Sequence, residues 1–183
     1  SVGTPVLGFE IKIIDENGNE CSPNVAGEIA GYGAGMMKEY YREVELTNSL
    51  IWKDNRGRSF IKSGDIGSLD EDGFLTILDR KKDMIISGGL NVFPVDIEEV
   101  VGKHPDINDV TVIGIPHEKW GETCVALIIP KGGVEIDCDE IKNWSNEKLA
   151  KHQRLYKVES REEFPRNALG KVLKRVLREP YWS

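Results

Sequence analysis

The chain has 183 residues, with 24 Lys and Arg against 31 Asp and Glu, a net charge of −7, and 39% hydrophobic and 30% charged residues. That balance belongs to globular proteins rather than disordered ones, and the length suits one ordinary domain or two small ones. It excludes a general nucleic-acid surface, and no apolar run approaches the ~20 residues of a membrane-spanning helix.

The first 79 residues read mostly as β. Phe9 to Ile14 has strand character and is closed by the turn-rich Asp15 to Asn19. Gly27 to Ala30 is a second strand, running into a glycine-rich stretch, and a short helix fits Arg42 to Leu50. Ser59 to Lys62 and Gly73 to Leu78 read as further strands, with a hairpin turn at Glu71-Asp72-Gly73. The charged cluster Asp79-Arg80-Lys81-Lys82-Asp83 marks the expected boundary.

Beyond it the pattern becomes mixed. Met84 to Ile86 is a short strand ending in Gly88-Gly89. Pro94 to Gly102 has a helix signature: Pro at the start, acids in the early turns and Gly at the close. Asp109 to Ile115 and Cys124 to Ile129 are strands, Asp139 to Leu149 is helical with Asp137 as N-cap, and a short strand lies near Tyr156 to Val158. A helix is expected from Lys171. The fold class is therefore α+β: a β-barrel-like subdomain over 1–79, then a small α+β domain over 80–183.

Three scattered cysteines, Cys21, Cys124 and Cys138, form no paired motif and suit reduced thiols in a cytoplasm. The three histidines show no metal-ligand spacing, and no metal site is expected. Positive charge is concentrated from Arg154 to Arg178, which suits a small anionic ligand as well as it suits a solvated helix face.

Three motifs carry chemistry. Pro165 to Arg175 (PRNALGKVLKR) puts a lysine directly after a glycine turn, where it can project a compact charge from a loop. It is not a P-loop, because Arg166 stands where the first glycine is needed and Val172 replaces Ser or Thr. Lys62-Ser63-Gly64-Asp65 leaves a strand at a Gly turn, and a carboxylate held there can accept two hydrogen bonds from a ribose diol. Asp79 to Glu98 follows a fixed guanidinium with a strand and a glycine pair that admits a narrow ligand. Read singly, each also has a bland explanation as a surface lysine, a common Gly-Asp turn or a loop.

In their order and spacing these segments resemble the adenylate-forming superfamily, which includes acyl- and aryl-CoA synthetases, nonribosomal peptide adenylation domains and beetle luciferases. The resemblance covers essentially the whole chain and includes the glycine-rich Gly27 to Tyr41. It implies that Asp65 and Arg80 bind the ATP ribose and that Lys171 contacts carboxylate and phosphate oxygens during catalysis. Lys82 falls at the hinge, and Gly88 and Gly89 at the pantetheine tunnel. Trp120, with Gly121, lies near that tunnel. His152 and Arg154 fall where some ligases contact the coenzyme A nucleotide, although Leu155 departs from the proline usual nearby.

The same resemblance implies a carboxylic acid, ATP and coenzyme A as substrates, with Mg²⁺ bound mainly by an N-terminal part of the same enzyme. The family's phosphate loop and acid pocket match nothing in this sequence. The chain is thus expected to be the C-terminal part of an acid:CoA ligase, inactive alone, with 80–183 as a mobile lid. A peptide-synthetase adenylation domain, a luciferase-like enzyme and a noncatalytic nucleotide- or CoA-binding module are the alternatives.

Overall fold

The computed structural model describes residues 1–132 and 134–182. The architecture is α+β, and the chain forms two compact units, Ser1–Lys82 and Asp83–Ser183. Among the described residues no helix is long and apolar enough to cross a membrane.

The first unit is a curled antiparallel sheet of β1 (Phe9–Ile14), β2 (Gly27–Gly33), β3 (Ile51–Lys53), β4 (Ser59–Leu69) and β5 (Leu75–Arg80). Helix α1 (Val44–Leu50) leads into β3. The order is β1-β2-β4-β3, and β5 shares with β3 the second edge of the long β4. Successive residues point to opposite faces of a strand, so neighbouring isoleucines in β1 serve two clusters. Ile13 packs with Ile29 and Leu75, and Ile14 with Ala30 and Phe60.

The segment around Gly64 differs from its sequence reading. Lys62 to Asp65 does not leave the strand; β4 continues through it to Leu69. The glycine at 64 takes φ +75° and the pairing with β2 slips there, since Glu28 faces Ile66 while Ala30 faces Lys62. Two extra residues on β4 are absorbed as a bulge, which re-aims a side chain without ending the strand.

The second unit is organised by β9 (Gly121–Pro130), which pairs antiparallel along its length with β8 (Ile107–His117). Its other edge is divided between β10 (Leu155–Ser160), in parallel, and β6 (Ile85–Ser87), which meets it at Ser87 and Gly121. Strand β7 (Leu90–Val92) closes a hairpin with β6 across Gly88-Gly89, both at positive φ (+60° and +80°). A two-residue loop with two positive φ values is what the twist of a tight hairpin requires.

One face of this sheet is covered by α2 (Pro94–Val101) and α3 (Cys138–Asn146). Pro94 sits in the first turn of α2, Ile97 and Val101 are buried from it, and Asp137 caps α3 by accepting the Asp139 and Glu140 amides at 2.8 and 3.3 Å. The opposite face is covered by the C-terminal tail, where Phe164, Val172, Leu177 and Tyr181 pack on Ile113, Val125 and Leu127.

The C-terminal helix begins later than expected: α4 spans only Lys174–Arg178. Asn167 and Lys171 are instead bonded to each other, and Arg166 bridges Val172 in antiparallel fashion. That hairpin uses the backbone groups a helix from Lys171 would need.

Two outcomes follow from this core. Ile97 is fully buried, so Ile97→Ala is expected to cost about 2–5 kcal/mol in urea unfolding of the second unit. At Glu159, burial pushes the carboxyl upward, but hydrogen bonds from Lys157, Arg161 and Tyr181 outweigh it and hold the pKa at about 2. A depressed carboxyl stabilises the fold above its unfolded pKa, and that contribution is lost as protons bind. Stability should therefore fall as pH drops from about 4.5 to about 2, and Glu159→Gln should flatten that part of a pH-melting series.

Candidate functional site

In the first unit the bulge brings two of the sequence-selected residues together. Asp65 faces Arg80 across the β4–β5 ladder, and Arg80 Nε donates to Asp65 Oδ1 at 2.7 Å. The Asp65 amide donates to Ser63 Oγ at 3.1 Å, which braces the bulge itself. Arg80 is in turn set by its own amide, which donates to Asp79 Oδ1 at 2.7 Å. A carboxylate offers about four acceptor sites, so the ion pair leaves Asp65 capacity for a vicinal diol.

Close to the end of this unit, Lys81 Nζ donates to the buried Glu28 at 2.7 Å. Lys82 is the unit's last residue, in a single 3-10 turn spanning Lys81–Asp83. On the other side Asp83, 7% exposed, accepts from Arg178 at 2.9 Å. Each flank of Lys82 is thus pinned by an ion pair within its own unit.

In the second unit, the division of the β9 edge between β6 and β10 leaves a notch. A cleft of about 530 Å³ fills it, lined by Gly88 from the hairpin, Trp120 from the β8–β9 turn, and His152 and Arg154 from the segment entering β10. Gly89 occupies the same hairpin turn. The Gly88 amide donates to the Trp120 carbonyl at 2.8 Å, and a Cβ on Gly88 would stand 3.1 Å from the indole. The glycine is needed here both for its φ and for this close approach.

Sequence reasoning missed several walls of this cleft. His117 and Tyr156 line it and meet edge to face at 5.6 Å between ring centroids, and Leu90 and Lys151 are among its other lining residues. Tyr156 was accessible from the two-residue period of a strand, because it follows Arg154 by two. His117 carried no such signal, since only the pairing of β8 with β9 places it opposite Gly121.

Lys171 is not among the cleft's lining residues. It is exposed on the loop between β10 and α4, and its amide donates to Asn167 Oδ1 at 2.9 Å. Asn167 Oδ1 also accepts the Leu169 amide at 3.0 Å, and Gly170 supplies φ +81°. Among the described residues no group of three or more His, Cys, Asp or Glu side chains is placed to hold a metal ion.

Residues 96–171 match the AMP-binding enzyme C-terminal domain family. Those residues are thus the C-terminal domain of an AMP-binding enzyme, and the relatives that the chain matches along nearly its whole length are CoA ligases. It is 37% identical over 98% of its length to a long-chain-fatty-acid–CoA ligase of Salmonella typhimurium, covering 31% of that protein. It is 39% identical over 97% of its length to a 2-succinylbenzoate–CoA ligase of Geobacillus kaustophilus, covering 35% of it. The crystal structure of ATP-bound MatB from Rhodopseudomonas palustris superposes with a TM-score of 0.90 at 36% identity, over 99% of this chain and 35% of that one. The chain spans about a third of the length of the curated relatives it matches.

The hairpin turn gives a direct comparison. Gly88→Ala introduces both an unfavourable φ and a contact with Trp120, whereas Gly89→Ala introduces only the φ, having nothing within 4 Å. The left-handed conformation costs an L-residue about 1–2 kcal/mol. Both variants should lose that much in denaturant unfolding, and Gly88→Ala should lose measurably more.

Proposed function

We propose that this chain is the C-terminal part of an ATP-dependent acid:CoA ligase, found in the cytoplasm, that forms an acyl-adenylate and then an acyl-CoA. The observation that carries the reading is the cleft, in which residues from three separate segments, Gly88, Trp120 and His152 with Arg154, line one notch of the second unit. The relatives' names as CoA ligases point to the same chemistry. In this reading Asp65 and Arg80 take the ribose of ATP. Lys171 faces the carboxylate and α-phosphate oxygens as they react, where a fixed positive charge is most effective. Gly88, Gly89 and Trp120 admit the pantetheine arm, and His152 and Arg154 receive the nucleotide end of coenzyme A.

Lys171 and the cleft lie on different parts of one small unit, so a lid that serves both half-reactions must present them in turn. Lys82, between two ion-paired neighbours, is the natural pivot. The N-terminal remainder of the enzyme would supply the acid pocket, the triphosphate site and Mg²⁺. Fatty and aromatic acids are the substrate classes this reading favours.

The test is a pair of single-turnover assays on the full-length ligase. Lys171→Ala should slow acyl-AMP formation by about 10²–10³, the typical loss for one preorganised electrostatic contact. Conversion of supplied acyl-AMP and coenzyme A to thioester should stay near wild type. Equal losses in both steps would remove the two-step lid, and no loss in the first would make Lys171 an ordinary surface lysine. The isolated chain, given ATP, coenzyme A and acids, should release no pyrophosphate above background.

A further inference from the structure

The Lys171 loop is tied to the outer edge of β8, the edge that carries no strand among the described residues. Two carboxylates do the tying. Glu98, from α2, accepts the Val112 amide at 2.7 Å and Lys174 Nζ at 2.8 Å, fixing the chain just after Lys171. Asp109, on β8 itself, accepts the Val110 amide with Oδ1 at 2.9 Å and Arg166 Nη2 with Oδ2. Arg166 then uses its other terminal nitrogen, Nη1, to donate to the Gly170 carbonyl at 2.6 Å, one residue before Lys171.

The two members of the Asp109–Arg166 pair differ from structural ion pairs in one respect. Their side chains are 31% and 42% exposed, and pairs that open to water contribute little to overall stability. Yet the guanidinium spans two fixed points, a strand carboxylate and a loop carbonyl, with nitrogens held rigidly apart. A lysine at 166 could reach one of them but could not hold both. Such a fork restrains the geometry of the turn that carries Lys171.

We propose that Asp109 and Arg166 are positioning residues for Lys171, holding its loop in register on the β8 edge so that the ammonium meets the reacting oxygens during adenylation. The claim rests on the reading of Lys171 given above. Neither residue need touch substrate. Asp109→Asn keeps an acceptor for the Val110 amide but removes the charge facing Arg166, and Arg166→Lys keeps the charge but removes the fork.

The test joins hydrogen exchange on this chain to half-reaction kinetics on the full-length ligase. Either substitution should leave the melting temperature unchanged while the Leu169 and Lys171 amides exchange several-fold faster. In the full enzyme, kcat for acyl-AMP formation should fall by about 10- to 100-fold, the range expected for displacement of a reacting group by roughly 1 Å. The KM for ATP and the conversion of supplied acyl-AMP to thioester should be unchanged. The double variant should be no worse than either single one, because both break the same link. Unaltered exchange at Lys171, or parallel loss of both half-reactions, would overturn the proposal. Wild-type adenylation by Lys171→Ala would overturn the functional reading beneath it. Loss there, with intact adenylation in Asp109→Asn, would overturn the positioning claim alone.

Discussion

The burial of β9 on both faces is the constraint on which the second unit depends. From Thr123 to Ile128 every residue is buried, and the side chains divide by parity. Cys124, Ala126 and Ile128 enter the core under α2 and α3, while Val125 and Leu127 enter the one under the C-terminal tail. A slip of one residue would exchange the two sets. Burial also pushes the Cys124 thiol up to about 12, with Glu122 adding to the effect, so this cysteine stays a packed apolar group. Because β9 is fixed so firmly, what happens at its edges can be specialised. One edge carries β8 and the lysine loop docked on it, and the other is shared by two strands that leave a cleft between them.

The parts of the fold that were legible in the sequence are those governed by local chemistry. Pro94, the acids that follow it and the closing Gly102 announce α2, and Asp137 announces the cap of α3. The misreadings lie where tertiary partners decide. Gly64 looks like the end of a strand because glycine with a following aspartate suits a turn. Pairing on both edges of β4 carries the strand through it as a bulge instead. The Lys171 region looks like a helix start because its residues favour helix, but Asn167 captures the Leu169 and Lys171 amides and folds the segment back.

The candidate site was legible in a different way. Asp65, Arg80 and Lys171 came forward through resemblance to a family, since each motif taken by itself is ordinary. Geometry adds what resemblance left out: His117 and Tyr156 in the cleft, and Asp109 beside the lysine loop. These lie far in sequence from the motifs and become neighbours only through the β8–β9 pairing and the return of β10. Lys82 illustrates the reverse. Its motif neighbours marked it, and the structure adds that Lys81 and Asp83 are each committed to separate anchors, Glu28 and Arg178. Bending there would require neither ion pair to break.

The outer edge of β8 has a further consequence. It is a row of backbone donors and acceptors on an 11-residue, mostly apolar strand, the kind of template on which a second chain can add a strand. Here Glu98 takes the Val112 amide and Asp109 takes the Val110 amide, so two acidic side chains block the edge at alternate positions. The residues that tie down the lysine loop thereby also occupy the edge on which a second copy of the strand would have to pair.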